Sequence, residues 1–305
     1  MKSVFAFRRS YKAQIAGDWK DRLVGFVFMT TLVLFTLACL YPILNVVAKA
    51  FSDKTEVAAG RVQGMWPVKP TTDSFAFVLN SPRFVKALEN TVFITVMHTA
   101  LSLVLTTVVA YAVSKRDFPF GRIIMLAYLF TMMFDGGLIP TYFAIKEIGL
   151  YDSLWVIIIP NLVSAYHVVL MRNYIAGLPN ELEESAMIDG ASQLRYLVQI
   201  VVPLIMPSLA TITLFCAVNG WNAYFSAVVY ISSRNNVVLQ VYLREVLISI
   251  QTTEMSTLGD TLLEGLPAES IQSACVVASA LPIVVLYPFL QKYYVKGMTL
   301  GAVKG

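Results

Sequence analysis

Long apolar runs separated by short polar intervals dominate this chain. Six of them, residues 23–47, 91–113, 123–142, 154–170, 203–229 and 271–290, run for 17 to 27 residues and together contain a single charged side chain, Asp135. A helix of about 20 apolar residues spans the hydrocarbon core of a bilayer. None of the runs shows the period-two alternation of a barrel strand, so helices must satisfy the backbone. The pattern predicts an all-α integral membrane protein with six transmembrane helices. The first run follows basic residues and precedes Ala48-Lys49-Ala50, which mimics a cleavage site, but at 25 residues it is too long for a signal core and is read as an uncleaved helix.

Charge placement orients the spans. With both termini cytoplasmic, the inner segments hold 14 Lys and Arg against 7 acidic residues, and the outer segments hold 9 basic residues. The remaining 12 acidic residues lie outside or, for Asp135, in a span. The short loop from Lys115 to Arg122 is the clearest vote under the positive-inside rule. The domain reading is a cytoplasmic N-terminal segment, 1–22, then a six-span domain, 23–305. That domain has a cytoplasmic segment, 172–202, and outer loops 52–82 and 231–270. The first outer loop, rich in Pro, Thr and Asp, is expected to be irregular. The run 237–250 is expected to form an amphipathic helix on the outer face.

Composition narrows the class. Hydrophobic residues are 57% of the 305 and charged residues 14%, where a soluble domain carries about 25% charged. This excludes a disordered chain and argues against a cytosolic enzyme. Cys39, Cys216 and Cys275 sit singly in apolar runs and read as small apolar residues, with no disulfide or zinc spacing.

The segment 178–203 reads as two short helices with a sharp bend. Asn180 is expected to cap the first, with Glu183 completing a capping box, and Glu181, Glu183 and Glu184 favour its dipole. Gly190 can end it in the left-handed conformation, and Ser192 can cap the second helix, which runs into Pro203. Small residues Ser185 and Ala186 leave room for another protein's backbone. Two readings stay open on physics alone: a docking element for a partner, or a folded loop shielding the ends of the spans.

Glu184-Ser-Ala186, three residues to Gly190, nine more to Ile200, then Val202-Pro203, resembles the EAA motif of binding-protein-dependent ABC importer permeases. Ser185 stands for the first Ala and Val202 for the Leu before Pro. The fuller run Glu181 to Ala191 resembles the carbohydrate, maltose-type branch. Asp135 to Tyr142 and Leu239 to Glu245 resemble a sub-branch for complex oligosaccharides that includes alginate-type importers. The resemblance implies a type I ABC importer permease fold in the bacterial cytoplasmic (inner) membrane. It implies that Glu183, Glu184, Ser185, Ala186, Asp189 and Gly190 couple the spans to a cytoplasmic ATPase, and that the tail residues Gly297, Thr299, Gly301 and Lys304 contact that ATPase. The implied partners are a second related permease subunit, an ATPase dimer holding ATP and Mg, and an external solute-binding protein. Nucleic acid has no part in it. The chain contains no G-x4-G-K-[ST] loop and no Gly-Lys dipeptide, so it is expected not to be an enzyme and to bind no cofactor or metal itself.

Polar residues in spans usually face a cavity or a neighbouring helix. Asp135, Asn219, Trp221, Asn222 and Tyr224 are candidates for the substrate pathway, because sugars are held by amides, carboxylates and flat apolar surfaces. The alternative for each is helix–helix hydrogen bonding. Asn90, His98, Asn161 and His167 are further candidates; for each residue taken singly the alternative is favoured, and the isolated His98 and His167 are read as structural. Asp135 lies before Gly136-Gly137 and Pro140, which can interrupt its helix, and is expected to shape the outer pathway or to pair with a basic group. A competing class, an ion-coupled secondary transporter or channel, would need ion-coupling pairs or paired broken helices, and Asp135 is the one hint of them.

Overall fold

The computed structural model describes residues 19–115, 117–251 and 267–301. It is helical throughout, and the one β feature among the described residues is an isolated bridge between Ser52 and Pro70. Fourteen helices are labelled in chain order. They are α1 (Trp19–Ala50), α2 (Lys54–Ala58), α3 (Asp73–Asn80), α4 (Pro82–Ser114), α5 (Gly121–Met133), α6 (Leu138–Glu147) and α7 (Trp155–Ile158), which a 3-10 turn continues to Asn161. Then come α8 (Ala165–Ala176), α9 (Glu181–Ile188), α10 (Gln193–Leu204), α11 (Met206–Trp221), α12 (Phe225–Tyr230), α13 (Leu239–Gln251) and α14 (Ala268–Gly301).

Helix α4 is the central post. Pro82 starts it, where a missing N–H costs nothing, and its buried side chains recur at three- and four-residue steps: Phe84, Ala87, Thr91, Ile94, His98 and Ser102. That stripe packs chiefly on α11 and α8. The crossing with α11 is tight because Gly220 faces Thr95, and a Cβ at Gly220 would stand 3.0 Å from the Thr95 Cα. α1 behaves oppositely. Its most apolar 18-residue window has no buried residue, and it meets the rest of the chain through its C-terminal end, where Ala48 and Ala50 are buried and Lys49 pairs with Glu269 at 2.8 Å. Its exposed Leu, Val and Phe side chains suit lipid.

Three predicted spans are continuous helices: Leu23–Ala50, Pro82–Ser114 and Ala268–Leu286. The other three are broken: 123–142 where Gly136-Gly137 and Pro140 allow it, and 154–170 and 203–229 where no break was expected. The first breaks over 134–137, where Gly137 has φ +84° and the Asp135 carboxylate accepts the Gly137 N–H at 3.0 Å. The second bends by 47° after a 3-10 turn at Ile159–Asn161 that begins around Pro160. The third starts at an 82° bend at Ile205, between Pro203 and Pro207, neither of which has an N–H to donate, and stops again at Trp221.

The first outer loop is more ordered than its composition suggested. Glu56 is buried between Lys69, at 2.7 Å, and Arg61, at 3.1 Å. Asp53 caps α2 through the Thr55 N–H at 2.9 Å, and Tyr41 and Asn45 reach from α1 to the carbonyls of Gln63 and Gly64. The run 237–250 forms the expected helix from Leu239, with Leu239 and Tyr242 buried.

Candidate coupling segment and outer cleft

At one end of the helices, α9 and α10 fold back on the ends of α4 and α8. Leu182 and Ala186, four residues apart, face a core that contains Met171, Ile175, Tyr196, Leu197 and Cys216. α9 closes as a Schellman motif: Gly190 has φ +75°, its N–H reaches the Met187 carbonyl at 3.0 Å, and the Ala191 N–H reaches the Ala186 carbonyl at 2.9 Å. Ser192 caps α10 through the Arg195 N–H at 3.3 Å, as its position predicts. α10 then passes through a π-helical turn, Leu197–Val201, before the Ile205 bend.

The capping box does not form. Asn180 has helical φ and ψ, because the turn begins one residue earlier with the Leu182 N–H on the Pro179 carbonyl, and its side chain makes no cap bond. Glu183 instead pairs with Lys115 at the end of α4. The Lys115 ammonium also lies over two rings, 4.4 Å from the centroid of Tyr111 and 5.0 Å from that of Tyr196. The Tyr111 hydroxyl donates to Gln193 on α10. Burial works to lower the Lys115 pKa, but Glu183 and Tyr111 outweigh it and hold it above the ordinary lysine value. One cation thus ties α4 to both helices of the segment.

Ala186 is buried and turned into the chain's own core, so its small size serves internal packing and not the approach of another protein. The outward surface is Glu181, Glu184, Ser185, Asp189 and Gly190 with an apolar set, Met187, Ile188, Leu194 and Val198; Ile188 is 86% exposed. Beside it an open cleft of about 850 Å³ is lined by Lys115, Arg172, Glu181, Glu183 and Glu184 among others.

At the opposite end the pathway candidates separate. Trp221 is buried with Phe84, Leu239 and Cys275, and its indole N–H donates to the Ser279 carbonyl at 3.2 Å. Asn219 and Asn222 are exposed and Tyr224 is half-buried. The helix ends at Asn222, so Asn222 to Tyr224 forms the joint between α11 and α12. Gln240 of α13 braces it, donating to Asn222 Oδ1 at 3.3 Å and to the Trp221 carbonyl at 3.4 Å. Asp135 stands apart on the α5–α6 break, exposed, and no Lys or Arg pairs with it among the described residues.

Asn90, His98, Asn161 and His167 are structural. Asn90 donates to the carbonyls of Asn235 and Val237 at 2.8 and 2.9 Å. His98 spans from the Cys216 carbonyl to that of Asn161, at 3.3 and 3.1 Å. His167 stacks on Phe215 and faces Cys216. Among the described residues no group of His, Cys, Asp or Glu is placed to hold a metal ion. Gly297, Thr299 and Gly301 fall at the end of α14, and Lys304 lies outside the described residues.

Residues 11–300 match the family described as binding-protein-dependent transport system inner membrane component. The chain belongs to that family. Within it, this permease is 36% identical over 288 residues to the polygalacturonan/rhamnogalacturonan transport system permease protein YtcP of Bacillus subtilis (strain 168), covering 94% of this chain and all of the relative. It is 38% identical over 265 residues to protein LplC of the same organism, covering 87% and 89%. Among solved structures it superposes with a TM-score of 0.85, at 34% identity, on a chain of a bacterial ABC transporter involved in the import of the acidic polysaccharide alginate, covering 91% of this chain and 99% of that one.

Two features of this permease escape sequence reading. The Lys115–Glu183 pair joins residues distant in the chain, and its one local signal is a basic loop facing an acidic helix. Arg244 meets Tyr224, its guanidinium 5.3 Å from the ring centroid and donating to the hydroxyl. The sequence placed Arg244 in an amphipathic helix and Tyr224 in a span, with nothing to connect them.

Proposed function

We propose that this chain is one permease subunit of an ATP-driven, binding-protein-dependent importer of oligosaccharides in the bacterial inner membrane. It forms half of the translocation pathway, and a second related permease subunit forms the other half. Six spans cross the bilayer with both termini cytoplasmic: the three continuous helices, the two bent pairs and the α5–α6 pair. The external binding protein docks on the outer loop 231–270, and crosslinking confined to other loops would count against this. Acidic saccharides are the favoured cargo, in keeping with the polygalacturonan and alginate systems among its relatives.

The carrying observation is the α9–α10 segment. It is packed inward by Leu182 and Ala186, closed by Gly190, latched by Lys115, and presents acidic and apolar residues outward. A rigid element with an exposed mixed face suits docking in a groove on a separate protein. Glu184, Ser185, Asp189 and Gly190 lie on that face, Glu183 and Ala186 hold it from behind, and the tail with Gly297, Thr299, Gly301 and Lys304 adds a second contact with the ATPase dimer. ATP and Mg act on those subunits, which supply the energy.

The test is co-purification of this chain with an ATPase from membranes, followed by uptake in vesicles. Glu184→Lys should leave ATP hydrolysis running without uptake. Normal coupled uptake by that variant would sink the assignment of the segment, and absence of any ATPase from the purified complex would sink the importer reading.

A further inference from the structure

Between α12, α13 and the start of α4 the outer side opens a cleft of about 740 Å³. Val228, Val237, Val238 and Val241 contribute aliphatic surface to its lining, and three arginines line it, Arg83, Arg234 and Arg244, against one carboxylate, Glu245. Glu245 is already engaged by Arg83 at 2.6 Å. Arg244 has a neutral partner, the Tyr224 hydroxyl and ring. No carboxylate pairs with Arg234 or Arg244 among the described residues. Among the described residues, two cations of the cleft therefore stand without a counter-charge. Through Tyr224 it also adjoins the Asn222–Tyr224 joint, where the pathway candidates sit.

We propose that this cleft is a selectivity site for uronate carboxylates, in which Arg234 and Arg244 bind the carboxylates of an acidic oligosaccharide entering from the outside. The planar fork of a guanidinium matches a carboxylate bidentately, which an ammonium does not. Val228, Val237, Val238 and Val241 supply the apolar surface that sugar C–H faces require. Two unneutralised cations in one cleft fit a polymer whose charge repeats from unit to unit. Arg83, held by Glu245 and lying 5.8 Å from the Tyr242 ring centroid, shapes the rim and is not a carboxylate ligand. This rests on the importer reading above and adds where the charge of the cargo is sensed.

The experiment is ATP-driven uptake into proteoliposomes that hold the whole importer with its binding protein, supplied with oligogalacturonate, alginate oligosaccharide or neutral malto-oligosaccharide. Rates are taken per assembled complex for paired substitutions at Arg234 and Arg244. The expected order for acidic cargo is graded: Arg→Lys keeps the charge but not the fork and loses least, Arg→Gln at both positions loses about a hundredfold, roughly tenfold for each charge-assisted hydrogen bond, and Arg→Glu loses more. Equal losses for Lys, Gln and Glu, or equal losses for acidic and neutral cargo, overturn the site and leave the importer reading intact. Wild-type uptake of neutral cargo alone does the same. No ATP-driven uptake of any of the three overturns the importer reading together with the site.

Discussion

Lys115→Met should loosen the coupling helix without unfolding the chain. The Lys115 and Glu183 side chains are 23% and 29% exposed, so the pair belongs at the upper end of the surface range, about 1 kcal/mol. The two ring contacts at 4.4 and 5.0 Å add about 0.5–1 kcal/mol each. Methionine keeps the length and recovers about 0.5 kcal/mol through sulfur–aromatic contact, leaving a net loss of about 2 kcal/mol. A change of that size raises the open population of α9 by roughly thirtyfold. Hydrogen exchange in the reconstituted complex reads it directly: peptides over 178–191 should exchange about thirtyfold faster, while those over 84–102 of α4 stay unchanged. Glu183→Gln should give about half the effect in energy, and the double variant should fall short of the sum, because both changes remove one contact. Because the Lys115 pKa is raised, the pair's stabilisation is complete below the ordinary lysine value and is lost only as pH climbs through the raised one, so the latch is constant across physiological pH. Unchanged protection over 178–191 in Lys115→Met, or an equal loss across α4, would refute the reasoning.

Gly220→Val should destabilise the α4–α11 crossing by about 1–3 kcal/mol, because the new Cβ meets the Thr95 backbone at 3.0 Å; a lowered melting temperature of the purified chain checks it. Gly190→Ala meets no atom within 4 Å, so its cost is the left-handed backbone alone, about 1 kcal/mol. Coupled uptake should fall for Gly190→Ala and recover in part with Asn, which tolerates that conformation. The outer clasps predict an acid threshold. Glu56 is held below its ordinary value by Lys69 and Arg61, and Asp152 by the N–H groups of Ser233 and Ser232. Depressed carboxylates stabilise above their unfolded values and lose that stabilisation as pH falls through the folded ones. Protease cleavage in 52–72 and 230–237 should thus be flat from pH 7 to about pH 5 and rise only below about pH 4.

Where the apolar runs lie was legible because lipid imposes a length, and length can be counted. Continuity of a helix imposes nothing on hydropathy, so the bend at Ile205 and the joint at Asn222–Tyr224 were invisible inside an unbroken apolar run. The break at 134–137 could be anticipated because Gly136-Gly137 changes what the backbone can do. Gly190 and Ser192 were read correctly for the same reason: a C-cap glycine and an N-cap serine act within four residues. Asn180 was misread because Pro179 had already started the turn, and residue type alone cannot say which of two adjacent positions becomes the cap. Trp221 looked like a sugar platform by composition, yet what it does is decided by α14, which arrives some fifty residues later. The lysine latch and the arginine cleft depend on contacts between distant elements, which the basic loop and the acidic helix hint at for the latch and nothing local signals for the cleft.

The gap between α5 and α6 sets a condition on the surroundings of this subunit. Over 134–137 the helical ladder lapses, and Phe134, Asp135, Gly136 and Gly137 are all exposed on the isolated chain. Asp135 satisfies one amide, that of Gly137, and the Gly137 carbonyl accepts from the Thr141 N–H and hydroxyl, which leaves the carbonyls of Phe134, Asp135 and Gly136 outside the ladder. Hydrocarbon offers them nothing, at a cost of several kcal/mol for each group left bare. A lone copy of this chain would therefore carry a patch that lipid cannot wet. Whatever lies against that stretch in the working assembly must supply hydrogen bonds, which makes the neighbour either water or protein and excludes acyl chains from that side of the subunit.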